Sequence, residues 1–208
     1  MVPLPVTEPA PVSLGAPQDG DAPGVVLSRV GPGSPLASDS AFGVAVVTLW
    51  HRVSAAGGAV GFPVQVTRAE VAARVAGVVD DIRMGRLIAV AATVKRRLVG
   101  LVVLRPGTGI VAHTGWIRSL MVDPDEQGRG TGVRLMEAVI ALARERGLEL
   151  VDLSVRDGQG LESFYRRFGF TEWGRRPGWL RPAPGDDRDE IFLILRLADA
   201  PESPAAQR

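Results

Sequence analysis

The stretch that decides the fold is "LMVDPDEQGRGTGVRLMEAVIALARERG", Leu120 to Gly147. Glycine stands at every second position, Gly128, Gly130 and Gly132, with Arg129 and Thr131 between. A strand-like run precedes the glycines. After them Val133, Leu135, Met136, Val139, Ile140, Leu142 and Ala143 repeat with helical spacing until Gly147 stops the pattern. A helix start presents backbone N–H groups without intrahelical partners, and the helix dipole adds partial positive charge there. Together they form an anion site suited to phosphate. Glycines keep side chains off those amides and let them turn toward one point. The competing reading is a tight strand-to-helix turn that holds nothing. Two better-known phosphate loops do not fit. A P-loop needs Gly-Lys-Ser/Thr, and here Val133 follows Gly132. The dinucleotide pattern G-x-G-x-x-G fails because its last position is also Val133.

Working outward, "VVLSRV" (Val25 to Val30) reads as a first strand. A helix is predicted from about Ser38 to Ala56, capped by Ser38 or Ser40 and stopped by Gly57-Gly58. Thr67 with Glu70 forms a capping box for a second helix, which Gly85 ends. "RLIAVAATV" and "RLVGLVVLR" predict a hairpin turning at Lys95-Arg96-Arg97. "WIRSLMV" (Trp116 to Val122) is a further strand that Pro124 prevents from continuing. Past the glycine helix come "LELVDLSV" as a strand, "LESFYRRFG" as a short helix, a strand beginning at Phe170 to Trp173, and "EIFLILRL" as a long last strand. Between these two strands "GRRPGWLRPAPGDDRD" is expected as a long polar loop stiffened by prolines. The order predicts one mixed, mostly antiparallel α/β sheet of six to seven strands flanked by about four helices.

Composition narrows the function. The chain has 208 residues, 46% of them hydrophobic, enough for one well-packed domain. It contains no cysteine and two histidines, His51 and His113, so a zinc site of His and Cys is not expected, nor any other metal. A net charge of +1 gives no reason to expect nucleic acid or a membrane surface. Residues 1–24 are rich in Pro, Ala and Gly, lack a secretory pattern, and are expected to be disordered, as is the tail over 199–208. The domain is expected over 25–198, in a cytoplasmic monomer or homodimer.

Gln127-Gly128-Arg129-Gly130-Thr131-Gly132 resembles the Q/R-x-x-G-x-G/A signature of the GNAT superfamily of acyl-CoA-dependent N-acyltransferases. The flanks "LMVDP" and "RERG" match as well. "FYRRFGF" (Phe164 to Phe170) is similar to that family's second block. The resemblance covers roughly Leu87 to Leu197. The C-terminal segment is more weakly similar to the hairpin of the tabtoxin-resistance-like branch.

The resemblance implies the GNAT fold, acetyl-CoA as co-substrate and an amine as acceptor. It implies that the strand of Trp116–Val122 carries a bulge and splays from that of Leu148–Val155, and that backbone groups around Leu120, Met121 and Val122 receive the pantetheine arm. The Val122 amide would polarise the thioester carbonyl. Amides of Gln127, Gly128, Arg129, Gly130, Thr131 and Gly132 would hold the pyrophosphate. Tyr165, the sole tyrosine, would protonate the departing thiolate; its alternative is an amphipathic core residue. Where many relatives place a glutamate on the fourth strand, this chain has Arg118 and Ser119, so Ser119 stands as a catalytic candidate. His113 and Asp152 are further candidates for a base, with solvated and structural alternatives. The acidic run Asp186, Asp187, Asp189 and Glu190, with Asp187 and Asp189 singled out, is expected together with Trp179 to border the acceptor and favour a cationic amine, against the alternatives of a solvated turn and simple packing. The acceptor is read as a small amine, amino-acid-like or an antibiotic. Acetylation of a protein N-terminus or lysine, or a non-catalytic acyl-CoA-binding module, stand as the other readings.

Overall fold

The computed structural model describes residues 24–198. The expected disordered segments lie outside the described residues, Gly24 apart. Seven strands form one sheet: β1 (Val26–Val30), β2 (Ile88–Val94), β3 (Arg97–Pro106), β4 (Thr114–Val122), β5 (Leu150–Arg156), β6 (Thr171–Ala183) and β7 (Asp186–Arg196). Their order across the sheet is β1-β2-β3-β4-β5-β7-β6. Every neighbouring pair is antiparallel except β4 and β5. The α-helices are α1 (Pro35–Ser38), α2 (Ser40–Ala55), α3 (Arg68–Arg83), α4 (Thr131–Glu145) and α5 (Leu161–Arg166). No helix among the described residues is long and apolar enough to cross a membrane.

Local chemistry explains most boundaries. Thr67 and Glu70 form the expected reciprocal capping box on α3. The β2–β3 hairpin turns through Lys95 and Arg96, both at positive φ, as a two-residue turn matched to strand twist demands. Asp39 caps α2, in place of the expected serines, because Ser34 and Pro35 start a separate helical turn first. The one larger departure is at the C-terminus. The segment expected as a long loop is strand: β6 and β7 run as a hairpin out to Ala183 and Asp186, with register shifts absorbing Pro177 and Pro182. On this edge ribbon proline removes no ladder bond that another strand needs.

The sheet separates two cores. Ile88, Val90 and Ala92 of β2 face α4 and α5, while Ala89 and Ala91 face α2 and α3. In β4, Ile117 faces α4 but Met121 faces α2, although both are odd-numbered. A strand alternates strictly, so one extra residue must intervene. It does: Leu101 pairs with Met121 and Val103 with Arg118, leaving Ser119 and Leu120 opposite Val102 alone. Ser119 sits at φ 55° in this bulge.

β4 ends in an ionic anchor that sequence reasoning missed. The buried carboxylate of Asp123 accepts from Arg52 of α2 at 3.1 Å and Arg97 of β3 at 3.0 Å, and also from the Asp125 amide. Arg97 continues to Glu126, and Glu126 to Arg129. The chain thus leaves β4 at a fixed angle toward α4. Asp123→Ala is expected to lower stability by about 1.5–3 kcal/mol, the range for hydrogen bonds to charged groups. Urea unfolding checks this; an unchanged midpoint would show that the anchor is dispensable.

Candidate active site

The site grows from a failure of strand pairing. β4 and β5 pair only from Thr114↔Leu150 to Trp116↔Asp152. Beyond that point β4 runs on to Val122 and β5 to Arg156 without meeting, and a cavity of about 780 Å³ opens between them. Its walls include Ser119, Leu120, Met121 and Val122 of β4, Leu153 and Ser154 of β5, Gln127 and Gly132 at the front of α4, and Tyr165 of α5. This volume lies in the range of small-molecule sites.

Hydrogen-bond alternation fixes which peptide groups face the gap. The Asp123 amide donates to the Val99 carbonyl at 2.8 Å. That makes the facing residues Gly100 and Val122 a non-hydrogen-bonded pair, so the N–H and C=O of Val122 point away from β3 into the gap. The Gln127 side chain donates to that C=O at 3.1 Å. The N–H is the group presented to a ligand. Met121, paired with Leu101 and buried against α2, supports this wall from behind.

At the front of α4, Gly128 has φ 74° and Gly130 φ 83°. Gly130 is the N-cap residue and supplies no capping side chain. A Cβ at either glycine would meet nothing within 4 Å. The glycines are therefore required by backbone conformation in an open place, and packing does not explain them. The Thr131 hydroxyl is buried without a partner among the described residues. An uncapped helix start with turned-out amides and an orphan hydroxyl fits a diphosphate. The exposed Arg129 guanidinium pairs with Glu126 at 3.2 Å.

Tyr165 is buried, with edge-to-face contacts to Phe164 at 5.0 Å and Phe170 at 5.9 Å between ring centroids. Burial pushes its phenol pKa upward. The hydroxyl thus holds its proton at neutral pH and lies in the wall of the same cavity.

The other predicted positions divide. Ser119 lines the cavity through the bulge. Asp152 closes the paired end of the gap, and desolvation raises its pKa. His113 lies outside the cavity lining; its carbonyl accepts from Glu149 and Leu150. Trp179, Asp187 and Asp189 also lie outside that lining. Asp187 pairs with Arg181 at 2.5 Å, and Asp189 caps the Gly178 amide and faces Arg175 at 3.5 Å. Trp179 is exposed beneath the Arg176 guanidinium. Because the expected loop is a hairpin, Asp187 and Asp189 cross-brace two strands outside the cavity lining.

The acid that does reach the cavity is Glu190, the last of that run. It accepts from the Ser154 hydroxyl at 2.8 Å and pairs with Arg176 at 3.2 Å. A signal for it existed in the sequence. On β7, Ile191, Leu193 and Leu195 face α4 and α5, so Glu190 must point to the opposite face. The far wall is the segment from Ala56 to Gly61. The Trp50 indole donates to the Val60 carbonyl, while Arg156 and Gln159 both donate to the Gly57 carbonyl, strapping this segment across the gap.

Comparison with known proteins gives the family and the fold. The chain matches the acetyltransferase (GNAT) family over residues 67–170, half its length, and it belongs to that family of N-acetyltransferases. It is 42% identical over 66 residues to an uncharacterized N-acetyltransferase of Methanocaldococcus jannaschii, covering 31% of this chain and 29% of that protein. It is 33% identical over 70 residues to the L-methionine sulfoximine/L-methionine sulfone acetyltransferase of Pseudomonas aeruginosa, covering 33% and 38%. The chain thus spans about a third of the length of these curated relatives. A Salmonella typhimurium protein solved with its cofactor acetyl-CoA shares the fold, with a TM-score of 0.64 and 18% identity over 84% of this chain and 95% of that one.

Because Tyr165 is the only tyrosine, its ionisation is directly visible in ultraviolet absorbance. An ordinary phenol titrates near pH 10. The folded protein is expected to show no tyrosinate at that pH. Stability should fall as pH rises above 10, because the unfolded chain releases a proton that the native state retains. A normal titration in the folded protein would contradict the buried placement.

Proposed function

We propose that this chain transfers the acetyl group of acetyl-CoA to the primary amine of a small molecule by direct attack with both substrates bound. The observation that carries the reading is a cavity that runs from an unpaired strand edge to Gln127 and Gly132, which flank the glycine turn at the uncapped start of α4, with a protonated buried tyrosine in its wall. The Val122 N–H and the amides around Gly128 to Gly132 bind the donor. Val122 is aimed where a thioester oxygen gains charge. Glu190 takes the proton of the ammonium, and Ser154 and Arg176 hold its carboxylate in place. The neutral nitrogen then bonds to the thioester carbon as the C–S bond breaks. Tyr165 donates its proton to the departing sulfur. The second proton that the nitrogen sheds on becoming an amide then returns to the Tyr165 oxygen. Holding the two reactants in one gap supplies much of the acceleration; favourable cases reach about 7–11 kcal/mol.

The strap of residues 56–61 supports a small acceptor over a peptide, since it bridges the opening that a polypeptide would cross. The long β6–β7 hairpin is the feature on which the resemblance to the tabtoxin-resistance-like branch rests.

Release of free thiol from acetyl-CoA in the presence of amines tests this function. Tyr165→Phe is expected to lower kcat by about 10²–10⁴-fold while sparing acetyl-CoA binding; an unchanged kcat would remove Tyr165 from the reaction. Gly130→Asp is expected to abolish thermal stabilisation by acetyl-CoA, with the circular dichroism of the folded chain retained. Stabilisation equal to that of the parent would refute the placement of the diphosphate.

A further inference from the structure

The acceptor end of the cavity has an unusual charge. Three charged side chains line it, Arg74, Arg118 and Glu190. Glu190 is already satisfied by Arg176 and Ser154. The two arginines have no such partners among the described residues. Arg118 is half-buried on β4, on the face away from α4, and no carboxylate lies within 4 Å of its guanidinium among the described residues. Desolvation lowers its pKa, and Arg105 and Arg74 push in the same direction. Asp81, the one acid acting on it, is engaged by Arg86 at 2.6 Å. Arg74 rests on the ring of Phe62, 5.6 Å from its centroid, and Phe62 packs on Trp50. That platform fixes the guanidinium while using none of its N–H donors.

Arg74 is exposed and Arg118 half-buried, so the wall carries two like charges of which the second is partly withdrawn from water, and an anion between them relieves their repulsion. A guanidinium also offers paired donors that match a carboxylate with two parallel bonds. From this juxtaposition we infer that the acceptor is an amine bearing a carboxylate, held by Arg118 with Arg74 while its amino group reaches Glu190. The inference rests on the N-acetyltransferase reading and narrows it. Amino acids and their analogues fit such a cavity, and polycationic amines do not. It also reverses the expectation that an acidic rim favours a cationic acceptor: the acids beyond Glu190 are spent on the hairpin, and the free charge in the cavity is positive.

The 208-residue chain with acetyl-CoA is assayed for thiol release on the twenty standard amino acids, the matching amino-acid amides, and kanamycin as a polycation. The best acid is expected to exceed its amide by at least about tenfold in kcat/KM, the scale of one charged hydrogen-bonded pair. Arg118→Gln should bring acid and amide within about twofold by raising KM for the acid, with KM for acetyl-CoA unchanged. Arg118→Lys should restore part of the preference, because it keeps the charge and loses the fork. Equal use of acids and amides, preference for kanamycin, or an Arg118→Gln effect confined to KM for acetyl-CoA would each overturn the inference. Calorimetry with the same acids and amides in the presence of coenzyme A separates the two levels. Acids that bind and amides that do not, with the difference lost in Arg118→Gln, support the anion site even where no thiol is released. In that case it is the transferase reading that fails.

Discussion

The structure depends on one interruption: β4 and β5 stop pairing after Trp116 and Asp152. Parallel neighbours in the middle of a sheet normally satisfy each other along their whole length, since unpaired peptide groups inside a protein are costly. Here the pairing stops, and the unpaired edge of β4 is left facing a cavity. The bulge at Ser119 and Leu120 makes this possible. It switches which β4 side chains face each core, so that Met121 anchors the strand against α2 while Val122 turns its amide to the gap. Asp123 then ties the strand end to α2 and β3 through Arg52 and Arg97. The gap is held open from both sides by packing and charge.

Each part of the cavity uses a different kind of recognition. At the α4 end the proposed recognition is by main-chain amides, where two glycines take left-handed conformations. At the other end the proposed recognition is by side chains, through two guanidinium groups with no carboxylate within 4 Å among the described residues. Tyr165, the one tyrosine of the chain, lines the same cavity, held by Phe164 and Phe170. Its burial keeps a proton on an oxygen that solvent exposure would leave to titrate normally.

Most of the architecture could be read from the residues, because periodicity and punctuation report local structure directly. The capping box at Thr67, the hairpin turn at Lys95 and Arg96, and the glycine-flanked helix from Thr131 to Glu145 all follow from chemistry within a few positions. The misread segment, 174–189, shows the limit. Its prolines and charges look like loop, but an edge ribbon tolerates prolines, and its acids find arginines on the neighbouring strand. Pairing across a hairpin with shifted register is not encoded in either strand alone. For the same reason Asp187 and Asp189 looked like acceptor groups while Glu190, one residue on, is the acid that faces the cavity. The Asp123 anchor and the Arg74–Arg118 pair join residues far apart in sequence, and only the folded chain shows them as neighbours. Local sequence could not show which arginines would be left without an acid.

The most direct test of this account is a crystal structure of the protein with coenzyme A bound. The account predicts the pantetheine chain between β4 and β5 beyond Trp116 and Asp152, hydrogen-bonded to the Val122 amide, with the diphosphate on the amides of Gly128 to Gly132. A nucleotide seated elsewhere, or β4 and β5 zipped together as far as Val122, would contradict it.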